Sequence, residues 1–327
     1  MEMRNNGFWS LGPHGFHWIA YTEWGDPAHP HIVICAHGLT RNSRDFDWLA
    51  QALENDCRVI CMDVAGRGRS DWLTHKQDYG FPLYLSDAAA LIARVTAPRT
   101  GSALSRLLPW SSPAPDQVQI DWVGTSMGGL IGMLLASQPN SPVRRLVLND
   151  VGALVPWAAL LRLKGYMGQS VRYKSIADIE QALRAACATW GPLTDEQWSH
   201  MATHSALQRD DGTWEIACDP GIANVSQLGL IGGPRVGTNR LLGIDLWPVW
   251  DDIRAPTLVV RGAESDVLRA DTLKEMQQRG PKTEVMEFAG IGHAPALMSE
   301  EQTRVVSEFL LRGDIPAAKP EAADQPE

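Results

Sequence analysis

An α/β fold with a mostly parallel central sheet flanked by helices is what this sequence predicts, on three observations. Short apolar runs at residues 31–36, 58–62, 118–123 and 143–148 have the length and composition of buried strands. Segments with helical spacing lie between them, as in Phe46, Leu49 and Leu53. At Gly124-Thr125-Ser126-Met127-Gly128-Gly129 one of these strands passes through a tight turn into a second apolar run, 130–136, which reads as a helix. The chain is organised around that turn. A serine there is held in strained backbone geometry with its hydroxyl above the sheet edge, and Gly124 and Gly128 give strand and helix room to approach. The helix points its unpaired amino-end N–H groups at the serine, which reads Ser126 as a nucleophile. With 29 glycines in the chain a chance G-x-S-x-G is easily found, so it is the flanking strand and helix that give the match weight.

Composition narrows the classes. A length of 327 residues allows one large α/β domain or two small ones, and 44% hydrophobic content is ordinary for a globular chain. The net charge of -9 argues against a nucleic-acid partner, since phosphate binding needs clustered Lys and Arg. Five cysteines in odd number, with no C-x-x-C, sit mostly in apolar runs and read as buried free thiols of a reducing compartment. No run approaches the roughly 20 apolar residues of a membrane span, and no apolar stretch follows Arg4, so the expectation is a cytoplasmic protein without a membrane partner.

In order along the chain, residues 16–24 read as an outer antiparallel strand closed by Gly25-Asp26-Pro27. The strand 31–36 runs into His37-Gly38-Leu39-Thr40, where a glycine lets the backbone turn sharply; His37 reads as structural. A helix over 45–53 and a strand over 58–62 lead to the loop Asp63-Val64-Ala65-Gly66-Arg67-Gly68-Arg69-Ser70. It lacks a P-loop lysine and the full G-x-G-x-x-G spacing, so it reads as a structural turn. An amphipathic helix over 83–95 and a Pro-, Ser- and Arg-rich excursion over 97–117 precede the serine strand. The strand 143–148 ends in Asn149-Asp150. From 155 to about 246 helical patterns take over, which predicts an inserted helical cap between a first core segment, 1–154, and a second, 247–312. Trp157, Met167 and Trp190 are its candidates for lining an apolar pocket. His200 and His204 have i, i+4 spacing but no intervening H-E-x-x-H glutamate, so they read as a solvated helix face, and no metal is expected. Strands over 256–261 and 284–288 lead to Gly262-Ala263-Glu264-Ser265-Asp266 and Gly290-Ile291-Gly292-His293-Ala294. Serine, carboxylate and histidine therefore follow strands in that chain order. A closing helix over 301–311 and a disordered acidic tail over 313–327 complete the chain.

Together, His37-Gly38, Gly124-x-Ser126-x-Gly128, Gly262-x-x-x-Asp266 and Gly292-His293 resemble the α/β-hydrolase fold family, in its capped serine-hydrolase branch, over residues 16–311. The resemblance implies that Ser126 attacks an acyl carbonyl, that His293 relays the proton, and that Asp266 orients His293. Asp150 is the rival acid, because some relatives place theirs one strand earlier; Asp266 is preferred, and Glu264 stands behind both. The resemblance also implies an oxyanion hole from the N–H groups of Leu39 and Met127. No organic cofactor is needed. The expected activity is hydrolysis of small or medium, largely apolar carboxylic esters through an acyl-enzyme. Ser126 excludes cousins that carry an aspartate at this turn and resemble haloalkane dehalogenases or epoxide hydrolases. C–C bond hydrolases, thioesterases and lactonases share the machinery, although many C–C hydrolases have tryptophan where this chain has Ala294. A non-catalytic small-ligand receptor is the alternative from another class.

Overall fold

A computed structural model describes residues 2–97, 118–166, 171–224, 237–239 and 243–313. The expected excursion at 97–117, the acidic tail and Met167 fall almost entirely outside these. The centre is an eight-stranded sheet built from β1 (Arg4–Gly12), β2 (Gly15–Trp24), β3 (His31–Ala36), β4 (Arg58–Met62), β5 (Gln119–Thr125), β6 (Val143–Asn149), β12 (Thr257–Gly262) and β13 (Thr283–Phe288). Their order across the sheet is β1-β2-β4-β3-β5-β6-β12-β13. From β4 to β13 every pairing is parallel, and β1 and β2 add antiparallel strands at one edge.

The central strands are apolar because both faces are covered. Ile32, Ile34, Ile60, Met62 and Trp122 pack into one cluster with α2 (Phe81–Thr96) and α3 (Met127–Ala136). Val33, Cys35, Val59, Cys61 and Val123 point the other way. They meet α1 (Asp47–Leu53) and the closing helix Glu300–Leu311 through Leu49, Leu53, Val306 and Phe309. The period-2 alternation within each strand thus feeds two layers. All five cysteines are unpaired, four of them buried. No helix among the described residues is long and apolar enough to cross a membrane.

Two features depart from the expectation. The strand β1 was not anticipated: its apolar residues split between buried Phe8 and exposed Trp9 and Leu11, so it lacks a clean one-sided pattern. Its partner fixes it, in register from Arg4↔Glu23 to Gly12↔Gly15. The segment between β6 and β12 is also not all helical. Besides α4 (Trp157–Tyr166), α5 (Ile176–Ala186) and α6 (Asp195–Ser205), it holds the hairpin β8 (Ala206–Gln208) and β9 (Trp214–Ile216). A further small sheet joins β7 (Leu154–Pro156), β10 (Gly237–Asn239) and β11 (Gly243–Asp245). Three-residue strands are too short to show a period.

The helices α5 and α6 start at capping boxes, Ser175 with Asp178 and Thr194 with Gln197. Their inner faces, Ile179, Leu183, Trp198 and Met201, pack together with Ala296 and Met298, just past His293. This layer is also tied to the turn after β3. Arg41 donates to Ser205 Oγ at 3.0 Å, and Asn42 to the His204 carbonyl at 3.1 Å.

Candidate active site

Because β3, β4, β5, β6, β12 and β13 run parallel, their carboxyl ends share one edge of the sheet, where open α/β sheets place their ligands. The strand ends and loops at this edge carry Leu39, Arg67, Ser126, Asp150, Gly262 and His293. Ser126 has φ 51° and ψ -112°, the strained conformation expected of the turn. The flanking glycines are required by contact. A Cβ on Gly124 would lie 2.2 Å from the Gly128 carbonyl oxygen, and one on Gly128 1.9 Å from that of Ala36. The indole of Trp122 donates to the same Gly128 carbonyl at 2.9 Å, fixing helix to strand.

Register decides which carboxylate meets the histidine. Thr125 pairs with Asn149, so Ser126 and Asp150 are the first residues past a matched pair on neighbouring strands. Asn149 is level with Val260 on its other side. At Asp150 the backbone turns to φ 58° and swings the carboxylate over the sheet edge. Its Oδ2 lies 2.7 Å from His293 Nδ1, and His293 Nε2 lies 3.0 Å from Ser126 Oγ. With Nδ1–H donated to the carboxylate, Nε2 is free to accept the serine proton. The carboxylate also accepts from the Gly262 N–H at 3.0 Å and the Ser265 hydroxyl at 2.5 Å. Asp150 is completely buried and the His293 side chain is 9% exposed, so water competes little for these bonds.

Asp266 does not join this hydrogen-bonded path, which corrects the expectation. Its side chain is 51% exposed, and Arg162 of α4 holds both carboxylate oxygens at 2.8 Å. The end of β12 and the loop after it instead contribute hydrogen-bond donors to the Asp150 carboxylate. Sequence could not separate the two candidates, since each carboxylate follows a strand and only pairing register shows which strand end faces the histidine. Sequence reading also missed Ser265 and Asn149. The Asn149 amide donates to Thr125 Oγ1 at 3.0 Å and to the Pro295 carbonyl at 2.8 Å, linking the serine turn to the histidine loop.

The turn after β3 lies against the serine, where a Cβ on Gly38 would be 3.9 Å from the Ser126 Cβ. Met127 opens α3, so its N–H has no intrahelical acceptor. The Leu39 carbonyl accepts from Arg67 Nε at 2.9 Å. His37 is structural: Nε2 accepts the Val64 N–H at 3.0 Å and Nδ1 faces the Gly38 carbonyl at 2.7 Å. Burial, with help from the charges of Arg67 and Arg41, lowers its pKa to about 3.

The candidate pocket residues do not form one group. Trp157 packs on the main core, whereas Trp190 belongs to the α5–α6 cluster with the Arg41 guanidinium 5.6 Å from its ring centre. The neighbouring Thr189 carbonyl accepts from the Gly292 N–H at 2.6 Å, which places that loop beside His293. His200 and His204 do not form a solvated face. They pack edge to face at 4.4 Å between α6 and α1, with Asp47 close enough to complete a set of three possible ligand atoms within 4.8 Å. The Arg44 guanidinium already occupies that set, 2.5 Å from Asp47 and 3.2 Å from His204 Nδ1.

Comparison with known proteins agrees with the architecture. A model of the alpha/beta hydrolase family matches residues 33–308. A 3-hydroxybutyrate-oligomer hydrolase of Cupriavidus necator is 40% identical over 303 residues, covering 92% of this chain and 95% of that protein. A 2-(acetamidomethylene)succinate hydrolase of Mesorhizobium japonicum is 25% identical over 283 residues, covering 85% of this chain and 87% of that protein. The crystal structure of an alpha/beta hydrolase from Novosphingobium aromaticivorans superposes with a TM-score of 0.75 at 31% identity, covering 94% of this chain and 98% of that one. The parallel sheet, the serine at its strained turn and these matches lead to one conclusion: the chain belongs to the alpha/beta hydrolase family.

Proposed function

We propose that this protein is a serine hydrolase of carboxylic esters acting through an acyl-enzyme, with Ser126 as nucleophile, His293 as general base and acid, and Asp150 as its orienting carboxylate. The observation that carries the reading is the unbroken path Ser126 Oγ, His293 and Asp150, with spacings of 3.0 and 2.7 Å. Ser126 Oγ attacks the acyl carbonyl while His293 Nε2 takes its proton. The oxyanion is met by the N–H groups of Leu39 and Met127 at the amino end of α3. His293 then gives the proton to the leaving alcohol, and the same base activates the water that releases the acid. Asp150 stays ionised and stabilises the imidazolium.

For the substrate we infer an oligoester of a short hydroxy acid. Support comes from the 40% identity, over nearly the whole of both chains, to the 3-hydroxybutyrate-oligomer hydrolase. The test incubates the pure protein with the dimer and trimer of 3-hydroxybutyrate and with short-chain p-nitrophenyl esters, beside Ser126→Ala. Wild type is expected to release the monomer and nitrophenol, and Ser126→Ala to lose roughly 10³-fold or more in kcat. Turnover of nitrophenyl esters but not of the oligomers would keep the esterase and discard the substrate. A folded wild type inert toward all of them would discard both.

A further inference from the structure

Arg67 stands in the loop 63–70, after β4, with its side chain completely enclosed. Among the other buried arginines, Arg41 meets Asp45, Arg58 meets Glu23 and Arg261 meets Glu287, while Arg145 donates to the Leu310 and Gly313 carbonyls. Arg67 meets no carboxylate among the described residues. Its Nη1 donates to the Ala65 carbonyl and the Tyr84 hydroxyl, both at 2.8 Å, and its Nε to the Leu39 carbonyl at 2.9 Å. Its Nη2 lies 3.6 Å from Met127 Sδ. The rings of Tyr84 and Tyr79 flank it, with centroids 5.1 and 5.9 Å from the guanidinium carbon.

A buried cation without a counter-ion is unfavourable and needs a compensating reason. Outside its own loop it meets Cys218, with which it forms a single β-bridge, and also Leu39 and Met127, the residues whose N–H groups would bind the oxyanion. Resting on the serine-hydrolase reading above, we propose that Arg67 is a positioning residue of the oxyanion pocket: through the Leu39 carbonyl and the Met127 side chain it holds both donor residues, and it leaves a net positive charge beside the site where negative charge develops. The anion itself then supplies the missing counter-charge, transiently, in the tetrahedral intermediate. Ground-state binding of a neutral ester gains little from this arrangement, so kcat is affected more than KM.

The test compares wild type, Arg67→Met and Arg67→Lys, with intact sites counted by stoichiometric phosphonylation of Ser126. It reads kcat and KM for p-nitrophenyl acetate per intact site, and the affinity of a short alkylboronic acid, which becomes a tetrahedral anion on the serine. The expected result is a kcat per site lower by roughly 10- to 100-fold in Arg67→Met, with KM within about threefold and boronate affinity falling in parallel. Arg67→Lys is expected to lose at least about fivefold, because a single ammonium cannot hold the Leu39, Ala65 and Tyr84 oxygens together. Should Arg67→Met fail to fold, the lysine variant decides. Per-site kcat and boronate affinity within about twofold of wild type would overturn the proposal, as would a loss confined to the number of intact sites. Wild type that takes up no phosphonate would instead overturn the hydrolase reading on which it rests.

Discussion

At Asp150 one left-handed residue, φ 58°, turns the end of a buried strand into a site. Its carboxylate gathers three donors, His293, Gly262 and Ser265, from two different loops. His293 Nδ1 thereby faces a buried carboxylate held by fixed donors rather than a half-exposed one such as Asp266, which pairs with Arg162. His37 illustrates the opposite use of a histidine, as a neutral brace between the Val64 N–H and the Gly38 carbonyl. This has a pH consequence. The unfolded chain protonates His37 near its ordinary 6.5, while burial delays this in the folded protein to about 3. Between those values the unfolded state binds the extra proton, so the stability His37 contributes is present above pH 6.5 and is lost as pH falls toward 3. Urea midpoints measured from pH 7 to pH 4 are expected to fall less steeply for His37→Gln than for wild type. Equal slopes would contradict this account of His37.

At the scale of elements, the site depends on how closely β5 and α3 approach β3. The Ala36 carbonyl occupies the space that a side chain at Gly128 would need, only 1.9 Å from an ideal Cβ. Since the obstacle is backbone on a central strand, relief requires moving a strand or the helix. Gly128→Ala is therefore expected to lower stability by about 3 kcal/mol and to displace the Met127 N–H from Ser126. A denaturant midpoint and ester turnover close to wild type would contradict this. The link between α6 and the Arg41 turn, through Ser205 and the His204 carbonyl, joins α6 to the same edge of the sheet.

At the scale of the whole molecule, the sequence carries what depends on short range. The strand, turn and helix around Ser126, the buried strands and the loop bearing His293 were legible because their apolar lengths and glycines are local signals. What was hidden depends on pairing. Asp150 and Asp266 both follow strands, and the Thr125↔Asn149 register, which places Asp150 beside Ser126, has no local signature. The loop 63–70 is a structural turn as read, with Gly66 and Gly68 at positive φ, but the reach of Arg67 from it to Leu39 is set by tertiary packing. The three-residue strands between β6 and β12 were too short to show a period, and β1 lacked a one-sided apolar pattern. The proposed triad is therefore tested most sharply at its carboxylate. The test compares kcat/KM for p-nitrophenyl acetate in Asp150→Asn and Asp266→Asn against wild type. The structure predicts a loss on the order of 10³ to 10⁴ for Asp150→Asn, from a misoriented imidazole, and a change within about threefold for Asp266→Asn. A crippled Asp266→Asn beside a nearly intact Asp150→Asn would contradict it.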